Sequence, residues 1–178
     1  MKIAYLLASS GLSGGVKVVL QQAEELAARG HRVTVVCPDP APSWFPRRRF
    51  AWEESAFPAS RALRESDVAV ATFWSTVEPA VAHGGGLVFH LCQGYEADFA
   101  GYGGVRDRIL EAYGLPTRKL ALTPALRETL RERGHGDAEV IGQSFDASPF
   151  ACAPRPERAP LAILLPGIDE GEVKITPP

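Results

Sequence analysis

Gly11-Leu12-Ser13-Gly14-Gly15-Val16-Lys17 joins an apolar run to an amphipathic one, and no other stretch of the chain is better placed for chemistry. Glycines at the start of a helix let a ligand approach the backbone N–H groups. The positive end of the helix dipole then favours an anion there, most often phosphate. Gly14, Gly15 and Val16 are therefore the candidate phosphate contacts, with a plain tight turn as the alternative for the two glycines. The segment is not a P-loop, which places Gly-Lys directly before Ser or Thr; here Val16 separates Gly15 from Lys17. It is not G-x-G-x-x-G either. Asp39 follows the second apolar run, near where a dinucleotide-binding acid grips a ribose, but Pro38 and Pro40 enclose it and fit a turn residue better.

Other residues carry weaker signals. Trp44, Trp52 and Trp74 can stack on a sugar or simply pack a core or cleft wall, and packing is the plainer reading. Tyr95, Phe99 and Tyr102, interspersed with Gly94, Gly101, Gly103 and Gly104, suggest either a mobile aromatic loop that suits a ligand or a glycine-rich loop that is simply disordered. The basic run Arg47–Arg49 either meets a phosphate, an anionic lipid surface or a charged substrate, or is a solvated face. Cys37, Cys92 and Cys152 are too far apart for a CxxC pair; they read as reduced thiols with no zinc signature, and no metal site is expected.

These residues need a frame. Lys2–Ala8 and His31–Cys37 read as buried strands. Between them Val16, Val19, Leu20, Ala23, Leu26 and Ala27 recur at helical spacing across Val16–Arg29. Gly30 follows where a left-handed residue closes a helix. Further strands are expected at Phe50–Trp52, Asp67–Thr72, Leu87–Cys92, Lys119–Leu122 and Glu139–Gly142. Helices are expected at Ser60–Glu65, after a Ser75/Glu78 capping box, at Val105–Tyr113, and from Thr123-Pro124 to Gly134. Strands alternating with helices predict an α/β, doubly wound, mostly parallel sheet of Rossmann-like type.

A chain of 178 residues holds one such domain and is too short for two. Nineteen basic against 21 acidic residues argues against a nucleic-acid binder. The apolar run after Lys2 is only about six residues, short for a signal peptide. No stretch approaches the roughly 18 apolar residues of a spanning helix, so a cytoplasmic protein is expected. Residues 1–150 read as the domain. Over 151–178, Pro154, Pro156 and Pro160 read as a linker, and Leu161–Leu165 as a short strand opening a second domain. On that reading the chain is a piece of a longer protein.

Four segments, in order, carry a resemblance. Met1–Tyr5, Ser13–Val16 and Glu25–Val36 together look like the start of a family 4 glycosyltransferase with the GT-B fold. Ala71-Thr72-Phe73-Trp74-Ser75-Thr76 resembles the stretch after the fourth strand in rhamnosyltransferase-like members, and Gln93-Gly94-Tyr95-Glu96 resembles their acceptor-side loop. Ile141–Asp146 with Phe150 resembles the family's "pnGvD…F" lead into the domain linker. The similarity covers roughly residues 1–150.

The resemblance implies a two-domain enzyme that moves a sugar from a nucleoside-diphosphate sugar to a hydroxyl acceptor, such as a cell-surface glycan. This chain would be the acceptor-side half, with the donor domain absent and no cofactor beyond the donor substrate. Gly14, Gly15 and Val16 would approach the donor diphosphate; Trp74, Gly94 and Tyr95 would meet the acceptor; Gln93 and Glu96 would stand at the reaction centre. Two departures matter. Many relatives carry His-Gly where this chain has Gln93-Gly94, and Gln93 can hydrogen-bond a hydroxyl but cannot act as a base. His90, three residues earlier, reads as a satisfied structural histidine, and Glu96 as either a proton-accepting carboxylate or a solvated loop residue. The family's Glu-x7-Glu donor region is not reproduced by Ile168–Lys174. The expected partners are the donor, the acceptor, the missing domain and, through Arg47–Arg49, a membrane surface; nucleic acid is not among them. A non-catalytic glycan- or partner-binding module and an NAD(P)-dependent oxidoreductase are the rival readings.

Overall fold

The computed structural model describes residues 1–46 and 48–143. Seven strands form one sheet: β1 (Lys2–Leu6), β2 (Arg32–Cys37), β3 (Ala51–Glu54), β4 (Val68–Ala71), β5 (Leu87–Cys92), β6 (Arg118–Ala121) and β7 (Ala138–Val140). Their spatial order is β3-β2-β1-β4-β5-β6-β7, and every neighbouring pair is parallel rather than mostly so. The helices are α1 (Gly14–Ala28), α2 (Arg61–Arg64), α3 (Trp74–His83), α4 (Arg106–Gly114) and α5 (Pro124–Glu132). The fold is α/β, doubly wound and Rossmann-like.

Period-two alternation sorts the strand residues between two faces. Ile3, Tyr5 and Leu7 pack with Val19, Leu20 and Ala23 of α1 on one face. Ala4, Leu6, Ala69 and Ala71 pack with Leu63, Val77, Ala80 and Ala112 on the other. Cys92, Ala121 and Ala138 meet Ile109, Tyr113 and Leu130 in a third apolar cluster. The small residues of β1 and β4 let α3 sit close to the sheet.

Local chemistry explains the helix ends. Ser13 caps α1 by accepting the Val16 N–H at 3.2 Å, so the helix begins at Gly14, two residues before the expected start. Gly30 closes it at φ +87°, and the His31 N–H returns to Leu26 O at 3.1 Å. Thr123 caps α5 as expected, accepting the Leu126 N–H at 3.1 Å. The start of α3 corrects the expected Ser75/Glu78 box. Thr76 Oγ1 accepts the N–H groups of Thr72 and Phe73 at 3.0 and 3.2 Å and donates to Phe73 O at 2.7 Å. One buried hydroxyl thus satisfies three backbone groups where the strand becomes a helix.

Among the described residues no helix is long and apolar enough to cross a membrane. Arg47, the linker, Cys152, the strand expected at Leu161–Leu165 and the segments Ser144–Asp146, Phe150 and Ile168–Lys174 lie outside the described residues.

Candidate functional site

The winding direction of the sheet reverses between β1 and β4. In open α/β sheets ligands bind beyond the carboxyl ends of the strands at such a point. The two ends are joined there, because Thr72 Oγ1 donates to Leu6 O at 2.7 Å. The loop after β1 leads into Gly14 and Gly15, and the chain after β5 brings in Gln93. These meet across the end of β4: Gln93 Nε2 donates to Gly15 O at 3.2 Å.

That contact settles several details. Ser13 occupies the Val16 N–H, which leaves the Gly14 and Gly15 N–H groups without a partner among the described residues. A Cβ added at Gly15 would lie 3.4 Å from Gln93 Nε2, an ordinary contact, whereas at Gly14 it would meet nothing within 4 Å. Bulk beyond a methyl at Gly15 would collide with the Gln93 amide. Gln93 keeps its Oε1 and a second N–H for a ligand hydroxyl.

Asp39 does not offer itself to a ribose. Its carboxylate accepts the Ser10 N–H at 2.9 Å, and its carbonyl accepts Trp52 Nε1 at 3.2 Å. Trp44 Nε1 donates to Ser10 O at 3.1 Å, so Trp44 braces the loop after β1 and Trp52 the turn after β2. The turn reading of Asp39 fits this geometry.

The loop after β5 turns inward. Glu96, one of the two residues expected at the reaction centre, is 4% exposed, which corrects the solvated-loop alternative. Its Oε2 lies 2.6 Å from Tyr113 Oη, which also lies 3.0 Å from Gly94 O. Burial pushes the Glu96 carboxyl up to about 7, against the opposing pull of the Tyr113 hydrogen bond. Tyr95 is buried too; its hydroxyl is 2.8 Å from His135 Nε2, and Arg133 lies 5.6 Å over its ring. Gly94 lies under Phe99, whose Cζ would be 2.7 Å from an added Cβ.

His90 is fully buried, as a structural histidine should be, but it is not satisfied: neither ring nitrogen has a partner among the described residues. Its ring stands edge-on to Tyr113 at 4.7 Å, beside Lys119 in the register of β6. Burial first, then the Lys119 charge, lowers its pKa to about 3. Cys37 and Cys92 are buried free thiols, and burial pushes Cys92 up to about 12. Neither is a poised nucleophile. Among the described residues no group of three His, Cys, Asp or Glu side chains could hold a metal ion.

Trp74 opens α3 within an aromatic row. Trp74–Phe73, Phe73–Tyr102 and Tyr102–Phe99 are each spaced 5.9 Å between ring centroids, and Arg108 lies 5.4 Å over Trp74. The aromatic loop is built of short 3-10 turns at Glu96–Asp98 and Ala100–Val105. A cleft of about 210 Å³ lies at the opposite, amino end of the strands, among Lys2, Arg32, Glu53, Arg61 and Glu65. Its charges already serve each other: Arg61 meets Glu65 at 2.6 Å, and Glu53 accepts the Arg61 and Ala62 N–H groups at 3.0 Å each.

The site thus brings Gly14, Gly15 and Gln93 together and joins Gly94 to Glu96 through Tyr113. Sequence reasoning missed Tyr113, Lys119 and His135. Only Tyr113 left a trace, as the polar end of the apolar stripe Ile109–Ala112–Tyr113 on α4. No protein-family model matches the chain, and no curated protein is significantly similar to it.

Proposed function

We infer that this chain is the acceptor-side domain of a cytoplasmic GT-B glycosyltransferase, moving a sugar from a nucleoside diphosphate to a hydroxyl acceptor. The observation that carries the reading is the Gly15–Gln93 contact at the point where the sheet reverses direction. It puts two unpartnered helix-terminal N–H groups, suited to a diphosphate, beside a primary amide suited to a sugar hydroxyl. The aromatic row from Trp74 to Phe99 supplies stacking surface nearby for an acceptor. In this mechanism Gly14 and Gly15 take up charge on the leaving diphosphate, and Gln93 orients the acceptor hydroxyl without removing its proton. The donor domain supplies the rest of the nucleotide-sugar site, so the chain alone turns over negligibly.

The test is transfer and hydrolysis from a panel of nucleoside-diphosphate sugars, using the polypeptide that carries this chain and whatever its gene encodes after Pro178. Donor-dependent turnover that falls about 100-fold or more in Gly15→Trp supports the reading. Absence of turnover with every donor overturns it. One observation favours a second reading, a non-catalytic binding module. Gln93 cannot take a proton, and the nearest carboxyl in the same loop, Glu96, faces the interior. Saturable glycan binding with no donor dependence would select that module.

A further inference from the structure

The Tyr113 hydroxyl carries one proton and faces two acceptors, Gly94 O at 3.0 Å and Glu96 Oε2 at 2.6 Å. Its ring is held by His90, Tyr95 and His135, with centroids 4.7, 5.2 and 5.2 Å away. A phenol donates once, and a carbonyl oxygen only accepts. When Glu96 is ionised, both neighbours are pure acceptors and one of them goes without the proton. When Glu96 is protonated, its O–H donates to Tyr113 Oη, and the Tyr113 O–H donates to Gly94 O. The protonated arrangement pairs both oxygens that face the Tyr113 hydroxyl, whereas the ionised one draws that O–H to the buried carboxylate and leaves the half-buried Gly94 carbonyl without it.

We propose that Tyr113 is a one-proton latch on the loop after β5, holding the Gly94 carbonyl while Glu96 is a carboxylic acid and releasing it when Glu96 is a carboxylate. On ionisation the carboxyl proton leaves to solvent, and the Tyr113 O–H swings from Gly94 O to Glu96 Oε2; no covalent bond other than the acid O–H changes. Gln93, next in the chain to Gly94, grips Gly15, so the latch acts on the loop that closes the candidate site. It goes beyond the transferase reading and stands without it.

The groups around the latch leave Glu96 as the one that changes charge within it. Tyr113 faces it from α4, and burial and the Glu96 charge raise that phenol far above its ordinary value. Cys92 and His90 face it from β5, pushed by burial up to about 12 and down to about 3. Lys119 on β6 acts on His90 and Cys92, its own pKa lowered by burial. Beyond the Tyr113 ring, His135 is lowered by burial and bonded to Tyr95, while Arg133 pairs with Asp98 at 3.0 Å.

Carbon-13 NMR of the labelled full chain from about pH 5 to 9 tests the latch. The Gly94 carbonyl should shift with the same midpoint as the Glu96 carboxyl carbon. In Glu96→Gln the new NH2 donates to Tyr113 at every pH, so the Gly94 carbonyl should stay at its low-pH position. In Tyr113→Phe, Glu96 should still titrate while Gly94 does not follow. A Gly94 carbonyl that is indifferent to Glu96 titration in the parent overturns the latch. So does one that still moves in Glu96→Gln, which would assign the response to His135. The Glu96→Gln arm decides the matter even if Tyr113→Phe does not fold.

Discussion

Replacing Glu96 by Gln should make the protein relatively more stable as the pH rises. Burial holds the Glu96 carboxyl at about 7 in the folded chain, against an ordinary value of 4.5. A carboxyl raised in this way contributes stability in full below about 4.5, and that contribution is lost as the pH climbs through about 7. A difference of roughly 2.5 pK units, at 1.36 kcal/mol each, amounts to about 3 kcal/mol. The parent curve alone conceals this. His90 is held at about 3 against 6.5, so its contribution runs the opposite way and is lost on acidification. Between about 4.5 and 6.5 the two slopes oppose each other. The variant-minus-parent difference cancels His90 and isolates Glu96. Urea unfolding followed by tryptophan fluorescence, at pH values from about 4 to 8, should show that difference growing by about 3 kcal/mol in favour of Gln. A difference constant to within about 0.5 kcal/mol would refute the buried, protonated Glu96.

Four further outcomes follow from the packing. His90→Leu removes two unpartnered buried nitrogens; it should stay within about 1 kcal/mol of the parent at neutral pH and lose the acid-side decline, checked by the same urea series. Gly86→Ala places a Cβ 2.0 Å from Asp67 O, a backbone atom that cannot step aside, and should cost about 3 kcal/mol, read as a lowered urea midpoint. Ser13→Ala removes the α1 cap and should cost about 1 kcal/mol, whereas Gly15→Ala should be neutral or slightly stabilising in the same melts.

Much of the frame was legible because its signals are local. The apolar stripe of α1, Gly30 at its end and Thr123-Pro124 at the start of α5 each depend on residues within one or two turns. Leu87–Cys92 was bounded correctly because the glycines before it and Gln93-Gly94 after it interrupt an apolar run. The α3 start was misread because its cap is a hydroxyl inside the helix that reaches back, and Thr76 carries no distinguishing pattern in the chain. At the site, the place of Gly14 and Gly15 at the start of α1 could be read from sequence, but the bond from Gln93 to Gly15 O spans 78 residues and could not. Glu96 illustrates the same limit: a glutamate among glycines and aromatics reads as a proton-accepting carboxylate or as a solvated loop residue, and its burial shows only once α4 folds Tyr113 over it. His90 reads as a satisfied structural histidine, and only half of that holds: it is buried, but the lack of any partner for its nitrogens among the described residues depends on three neighbouring elements at once.

The most direct test of the glycosyltransferase reading is a proton–nitrogen NMR titration, with uridine and guanosine diphosphates, of the polypeptide that carries this chain and whatever its gene encodes after Pro178. The reading predicts saturable shifts at the Gly14 and Gly15 amides and the Gln93 side-chain NH2, lost in Gly15→Trp. Shifts confined to the cleft around Lys2 and Arg61, or none at either diphosphate, would contradict it.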